Sequence, residues 1–173
     1  ESELPTDTPR SNQTSFAGDL YHHLLDPELT SSLRALARQY GATLHQVFLA
    51  GLAMLLGRWA DQEDICLGTS MSGRERLETA HLVGMFVRTL PTRLEPSQGK
   101  CFARLLAEAR QQMHDIQEHA EYPISSLYEK LGANRGPGRH PLFDVNFVMR
   151  NTGLKSSFQS GDIKAELDYL PTH

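Results

Sequence analysis

Apolar and polar positions divide the chain into recognisable segments. Residues 1–15 are polar, carry Pro5 and Pro9 and offer Leu4 as their only sizeable apolar side chain, the pattern of a linker or extended connector arm. From Phe16 to Leu25 the chain becomes denser, with Leu20, His22 and Leu24 alternating against Tyr21, His23 and Leu25, and this period of two predicts a strand. Asp26-Pro27 ends it and opens a helix. The Asp26 carboxylate can accept from free N–H groups of the next turn, and Pro27 needs no partner at the first helical position. Leu29, Leu33, Leu36 and Tyr40 follow at steps of three and four, with Gly41 read as the C-cap. Thr43 caps a second helix, marked on one face by Leu44, Val47, Phe48, Leu52, Leu55, Leu56 and Trp59. Leu49, Ala50, Ala53 and Met54 leave it almost no polar side, so it is the expected core helix, packed on several sides.

Ile65-Cys66-Leu67 reads as a short buried strand running into Gly68-Thr69-Ser70-Met71-Ser72-Gly73-Arg74. The stretch from Leu82 to Leu94 is β-prone but contains Pro91, which predicts an edge or crossing strand. A long amphipathic helix follows with Phe102, Leu105, Leu106, Ala109, Met113 and Ile116 as its apolar stripe. Tyr122-Pro123 begins a short helix through Ser126, Leu127 and Leu131, and a Gly/Arg-rich loop from Gly132 to His140 ends at Pro141. Leu142, Phe143, Val145, Phe147 and Val148 predict another strand, Asn151–Asp162 a Ser/Gly loop, and Ile163–Leu170 a last strand. Helices interleaved with short strands imply an α/β fold in which helices cover a mixed β-sheet, an α/β sandwich.

A chain of 173 residues with 39% hydrophobic positions can bury its own core, so neither disulfides nor a structural metal is required. Cys66 and Cys101 lie far apart and outside any CxxC or Cys/His spacing, which argues against a disulfide framework and a zinc module and suits a reducing cytoplasm. No apolar run approaches the ~20 residues of a membrane span, and Glu1-Ser2-Glu3-Leu4-Pro5 is unlike a signal peptide. With 17 Lys+Arg against 21 Asp+Glu, the net charge of −4 gives no footprint for nucleic acid. The chain begins with Glu1 and ends on Leu170-Pro171-Thr172-His173 directly after a strand-like run, as a piece of a larger protein would.

Self-contained chemistry is sparse. His22-His23 beside Asp26 suggests a general base or a metal site, but on a strand neighbouring side chains point to opposite faces, and Asp26 already has a capping role. The histidines at 45, 81, 114, 119, 140 and 173 show no HxxxH or HExxH spacing, so no metal site is expected. Gly68-Thr69-Ser70-Met71-Ser72 follows the G-x-S-x-G nucleophile elbow until Ser72 replaces its last glycine, and reads as a strand-to-loop transition. Gly132–Gly138 has phosphate-loop residue types but no following Gly-Lys-Ser/Thr, and reads as a surface loop. Cys66 within an apolar strand is read as a small buried hydrophobe.

Several stretches, taken in order, resemble the condensation domains of nonribosomal peptide synthetases, specifically their C-terminal half. Leu4-Pro5-Thr6-Asp7-Thr8-Pro9-Arg10 looks like the connector into that half. Gly41-Ala42-Thr43-Leu44 with its long apolar helix, then Asp64-Ile65-Cys66-Leu67-Gly68-Thr69 with Ser72-Gly73-Arg74, match the next family stretch. Val83-Gly84-Met85-Phe86-Val87-Arg88-Thr89-Leu90 resembles the motif G-x-F-V-N-T-L, His119-Ala120-Glu121-Tyr122-Pro123 resembles H-Q-D-Y/V-P-F-E, and Arg139-His140-Pro141-Leu142-Phe143 resembles the end of R-D-x-S-R-N-P-L-F. The resemblance runs from Leu4 to Asn151 and departs from the family at Arg88 for Asn, Ile124 for Phe and His140 for Asn.

The resemblance implies a chloramphenicol-acetyltransferase-like lobe: 1–15 as the connector arm and 16–173 as the C-terminal lobe of a condensation domain, incomplete at its C-terminal end. It implies peptide-bond formation in a channel between two lobes, with donor and acceptor groups presented as thioesters on phosphopantetheine arms of peptidyl carrier proteins and no cofactor bound directly. The catalytic H-H-x-x-x-D-G motif belongs to the other, N-terminal lobe; His22-His23-Leu24-Leu25-Asp26-Pro27 imitates it, but its Asp comes one residue early and Pro27 stands where Gly belongs. No catalytic residue is therefore assigned in this chain, and the chain is expected to be inactive alone. Substrate-channel candidates are Ser72, Gly73, Arg74, Gly84, Phe86, Arg88 and Thr89, with the alternative that Gly84 and Phe86 only shape and pack a crossing strand. Tyr122, Pro123, Arg139, Pro141, Leu142 and Phe143 are expected to fix the architecture. The alternatives to this function are a non-catalytic carrier-docking module and a lobe of an acyltransferase that uses coenzyme A.

Overall fold

The computed structural model describes residues 4–9, 18–74, 77–79, 81–133, 139–150 and 157–166. Helix α1 (Pro27–Gln39) starts as its sequence requires, with the Asp26 carboxylate accepting from Glu28 N at 2.6 Å. Tyr40 is the residue at its C-cap, and Gly41 lies one position beyond. Helix α2 (Leu44–Ala60) opens on a reciprocal capping box in which Thr43 Oγ1 accepts from Gln46 N (3.2 Å) while Gln46 Oε1 accepts from Thr43 N (2.8 Å). Helices α3 (Phe102–Glu118) and α4 (Ile124–Leu131) follow later in the chain.

Strands β1 (Ile65–Met71), β2 (Arg88–Leu94) and β3 (Asn146–Phe147) form a sheet in the order β2-β1-β3. The β1/β2 pair is antiparallel, with Ile65 opposite Leu94 and Met71 opposite Arg88, whereas β3 runs parallel to β1, with Thr69 opposite Phe147. The sheet is therefore mixed, as expected. Pro91, which has no N–H to give a second neighbour, sits on the edge strand β2 opposite Gly68. Alternate residues Ile65, Leu67 and Thr69 of β1 and Leu90, Thr92 and Leu94 of β2 are buried on one face. Ile65, Leu67 and Leu94 join Val47, Leu49, Ala50, Ala53 and Leu56 of α2 and Leu105, Leu106, Ala109 and Met113 of α3 in one core. Leu105 and Leu106 are wholly buried, each worth about 1.5–3 kcal/mol of transfer free energy. Met71, Leu90 and Ala120 form a second cluster with Ile116 and Ile124, which brings the start of α4 to the end of the sheet.

The structure corrects several expectations. Residues 18–25 form no strand, and Leu20, Tyr21 and Leu24 are exposed. Alternation supplies faces but not a partner, and no strand among the described residues pairs with this segment; His22 and His23 are accordingly exposed, with His23 stacked on Tyr21 instead. Residues 82–87 also stay outside the sheet, because Arg74 takes the carbonyls of Leu82 and Gly84. Leu55 and Trp59 are 62% exposed: α2 packs on α1, α3 and β1 and leaves one side open. Leu142 to Asp144 lies outside the ladder, with Phe143 packed across β1; the β3 strand is only Asn146–Phe147, and the Val145 carbonyl before it accepts from Gly68 N at 2.8 Å. Within the expected 151–162 loop, Ser157–Ser160 is a strand, β4, paired antiparallel with β5 (Ile163–Glu166) across the Gly161-Asp162 turn. Residues 16–17, 134–138, 151–156 and 167–170, which carry parts of the expected first strand, the loops and the last strand, lie outside the described residues. Leu4 packs against the core. No single helix among the described residues is long and apolar enough to cross a membrane.

His45 extends from the first turn of α2 to Thr69, its Nε2 3.1 Å from the hydroxyl, beside the ring of Phe147. Burial lowers its pKa below the ordinary 6.5. The unfolded chain therefore takes up the proton first on acidification, so this stabilising contribution is complete above about 6.5 and is lost as the pH falls toward the lower folded value. Urea unfolding at pH 7.5 and at 5.5 should show a larger loss of stability for the native chain than for H45Q; equal losses would count against it.

Candidate functional site

The face of the sheet opposite the core is built around a close approach. Gly68 lies directly beneath the ring of Phe143: a Cβ there would sit 2.3 Å from Phe143 Cε2, so any larger residue would displace the ring. His140 stacks on Phe143 with centroids 3.6 Å apart, and its Nε2 lies 2.9 Å from the hydroxyl of Tyr128 on α4. His140 Nδ1 accepts from Leu142 N at 3.3 Å, which fixes the imidazole in its own turn. Arg139 anchors the segment through a bidentate pair with Asp144, whose side chain is only 5% exposed.

Arg88, at the start of β2, donates from Nη1 to the carbonyl of Ala120 at 2.6 Å and so ties the strand to the turn between α3 and α4. Pro123 occupies the N-cap position of α4, and the Lys130 ammonium lies 5.3 Å from the ring centre of Tyr122. Between these elements opens a cavity of about 830 Å³, lined by Arg88, Thr89, Tyr122, Tyr128, His140 and Phe143 among others. A second cavity of about 930 Å³ shares Arg88, Ala120, Glu121 and Tyr122 with it and reaches Gly73 and Phe86. Arg88 stands between the two spaces as a permanent cation.

The remaining channel candidates form a separately organised loop. The Arg74 guanidinium donates from Nη1 to the carbonyls of Thr79 (2.5 Å) and Leu82 (2.9 Å) and from Nη2 to that of Gly84 (3.1 Å), and it lies 4.3 Å above the Phe86 ring. Gly73 has φ +65°, and a Cβ on it would fall 1.9 Å from the carbonyl oxygen of Phe86. Ser72 Oγ accepts from Arg74 N at 3.4 Å. Arg74 thus holds its loop, while Arg88 and Thr89 face the 830 Å³ concavity with Tyr122, Pro123 and Phe143. Pro141 and Leu142 line a smaller cavity of about 420 Å³ with Asp64 and Cys66. The Tyr128 hydroxyl and the Ala120 carbonyl were not legible as site groups: Tyr128 reads as an ordinary helix residue, and a carbonyl carries no side-chain signal. No group of His, Cys, Asp or Glu among the described residues is arranged to hold a metal ion.

A family model described as "Condensation domain" matches residues 1–172. Tyrocidine synthase 2 of Brevibacillus parabrevis is 46% identical over 152 residues, covering 88% of this chain and 4% of that protein. Bacitracin synthase 3 of Bacillus licheniformis is 38% identical over 148 residues, covering 86% of this chain and 2% of that protein. Among solved structures, the first condensation domain of the CDA synthetase superimposes with a TM-score of 0.63 at 27% identity, covering 72% of this chain and 28% of that one. The X-domain from teicoplanin biosynthesis gives a TM-score of 0.61 at 28% identity over 66% of this chain and 25% of that one. The chain therefore spans 4% and 2% of these curated relatives and 28% and 25% of these solved chains.

Proposed function

The chain belongs to the condensation-domain family, and from that premise we propose that it is the C-terminal, acceptor-side lobe of a nonribosomal peptide synthetase condensation domain, supplying one wall of the reaction channel. In this reading residues 1–15 connect to an N-terminal lobe that brings the H-H-x-x-x-D-G motif, 16–173 form the lobe, and the protein works in the cytoplasm on substrates delivered by two peptidyl carrier proteins. The amine of the acceptor aminoacyl thioester attacks the carbonyl carbon of the donor thioester. A C–N bond forms, the tetrahedral centre collapses with cleavage of the C–S bond, and the proton lost by the amine ends on the departing thiol. Tethering replaces dilute encounters by a high effective concentration, and alignment in the channel removes orientational entropy from the barrier.

One observation carries this reading: Arg88-Thr89, Tyr122-Pro123 and His140 with Phe143, which come from separate motif-like stretches of sequence, line one concavity of about 830 Å³. That volume suits a small acyl group on an extended arm. Gly73, Thr79 and Phe86, next to the contacts that Arg74 makes, line the adjoining space. The test supplies the purified chain with two carriers, one loaded with a donor and one with an acceptor aminoacyl thioester. No dipeptide is expected from the chain alone, and dipeptide is expected once the N-terminal lobe is joined to it. Turnover by the chain alone, or productive use of an acyl-CoA donor without any carrier, would overturn the proposal.

A further inference from the structure

His140 has a defined tautomer. Its Nδ1 receives the N–H of Leu142 at 3.3 Å, so that nitrogen presents a lone pair, and the proton of the neutral imidazole belongs to Nε2. Nε2 lies 2.9 Å from Tyr128 Oη and therefore donates to it. The two rings meet edge-on at 86°, and His140 is held in place by its stack on Phe143. A phenol oxygen that is already accepting from His140 must direct its own proton elsewhere. Tyr128 and His140 both line the 830 Å³ cavity, so the cavity is a direction open to that proton. Burial raises the Tyr128 pKa, so the hydroxyl keeps its proton at neutral pH.

We propose that Tyr128 is a substrate-binding residue whose hydroxyl donates a hydrogen bond to the acyl carbonyl oxygen of a thioester held in this cavity, with His140 as the positioning residue that aims the proton. The inference rests on the reading of the cavity as a thioester site. The lining sets Glu121 against the Arg88 cation, and Asp144 is already paired with Arg139, so no excess of positive charge selects an anion and a neutral carbonyl suits the site. A donor aimed at a carbonyl gains strength as negative charge develops on that oxygen during attack, so the same contact serves the tetrahedral intermediate.

The test compares the full chain with Y128F, which keeps the ring and its packing, by ligand-observed NMR titration. One ligand is the alanyl thioester of N-acetylcysteamine; the other is the matching thioether, in which a methylene replaces the thioester carbonyl and the acetamide remains. Y128F is expected to raise Kd for the thioester about 3- to 10-fold and to leave the thioether Kd unchanged. An unchanged thioester Kd would overturn the role of the hydroxyl while leaving the cavity reading intact. An equal loss for both ligands would make Tyr128 a packing residue and also overturn it. Failure of the native chain to bind either ligand would overturn the cavity reading and this inference together.

Discussion

Replacement of Arg139 by methionine is expected to lower folding stability by about 3–5 kcal/mol, the range found when one member of a buried ion pair is removed. Arg139 is 23% exposed and Asp144 only 5%, and the guanidinium reaches both carboxylate oxygens, from Nε to Oδ1 at 3.3 Å and from Nη2 to Oδ2. Without it, a largely desolvated carboxylate loses its bidentate cation. Exposed pairs behave differently: Asp64 and Arg93 make an equally direct contact at 2.7 Å, but with side chains 45% and 68% exposed water competes for both groups and the pair adds little. The effect of R139M should reach the site, because the same segment presents His140 and Phe143 to the cavity. Urea unfolding measures the loss, and R139M/D144L should recover most of it by replacing the pair with apolar groups of comparable size. A loss below about 1 kcal/mol in R139M would show that the Arg139 contact is not what compensates the burial of Asp144.

Gly73→Ala is expected to cost about 2–4 kcal/mol and to loosen the contacts of Gly73 and Arg74 with residues 82–86. Left-handed backbone at φ +65° costs an alanine about 1 kcal/mol before any contact is considered. The larger part comes from geometry: the new Cβ would overlap the Phe86 carbonyl oxygen at 1.9 Å, and that atom belongs to the backbone and cannot rotate aside. Relief requires moving Phe86 away from Arg74, whose guanidinium lies on the Phe86 ring and holds the carbonyls of Thr79, Leu82 and Gly84. Proteolysis between Leu82 and Val87 should therefore accelerate in G73A along with the fall in urea midpoint. A variant that loses less than about 1 kcal/mol and keeps the native cleavage rate would mean that the loop adapts at little cost.

Local physical chemistry made much of the framework legible. Asp26-Pro27 and Thr43 with Gln46 carry their helix starts in side chains that satisfy nearby N–H groups, so no distant partner has to be known. The apolar stripe of α3 anticipated the burial of Leu105, Leu106, Ala109 and Met113 for the same reason: a helix closes its own hydrogen bonds and asks its neighbours only for an apolar surface. The motif-like stretches that resemble condensation domains were likewise contiguous in sequence, and the family match over residues 1–172 agrees with them.

Where a segment's state depends on a partner far along the chain, sequence pattern failed. Leu20 to Leu25 alternates as a strand should, yet no described strand pairs with it; Ser157–Ser160 has a loop-like composition, yet the Gly161-Asp162 turn delivers it to β5. The site divides in the same way. Arg88 and Thr89 could be named as site residues from motifs and Tyr122 and Phe143 only as architectural ones, but Arg74's engagement with its own loop and the meeting of Tyr128 with His140 depend on backbone paths and side-chain directions set by packing. The sequence by itself determined helix starts, core stripes and family; tertiary structure alone decided strand pairing and which polar groups face one cavity. The physical reason is range: caps and amphipathic periods act within a few residues, whereas ladders and cavities are made by groups that only folding brings together.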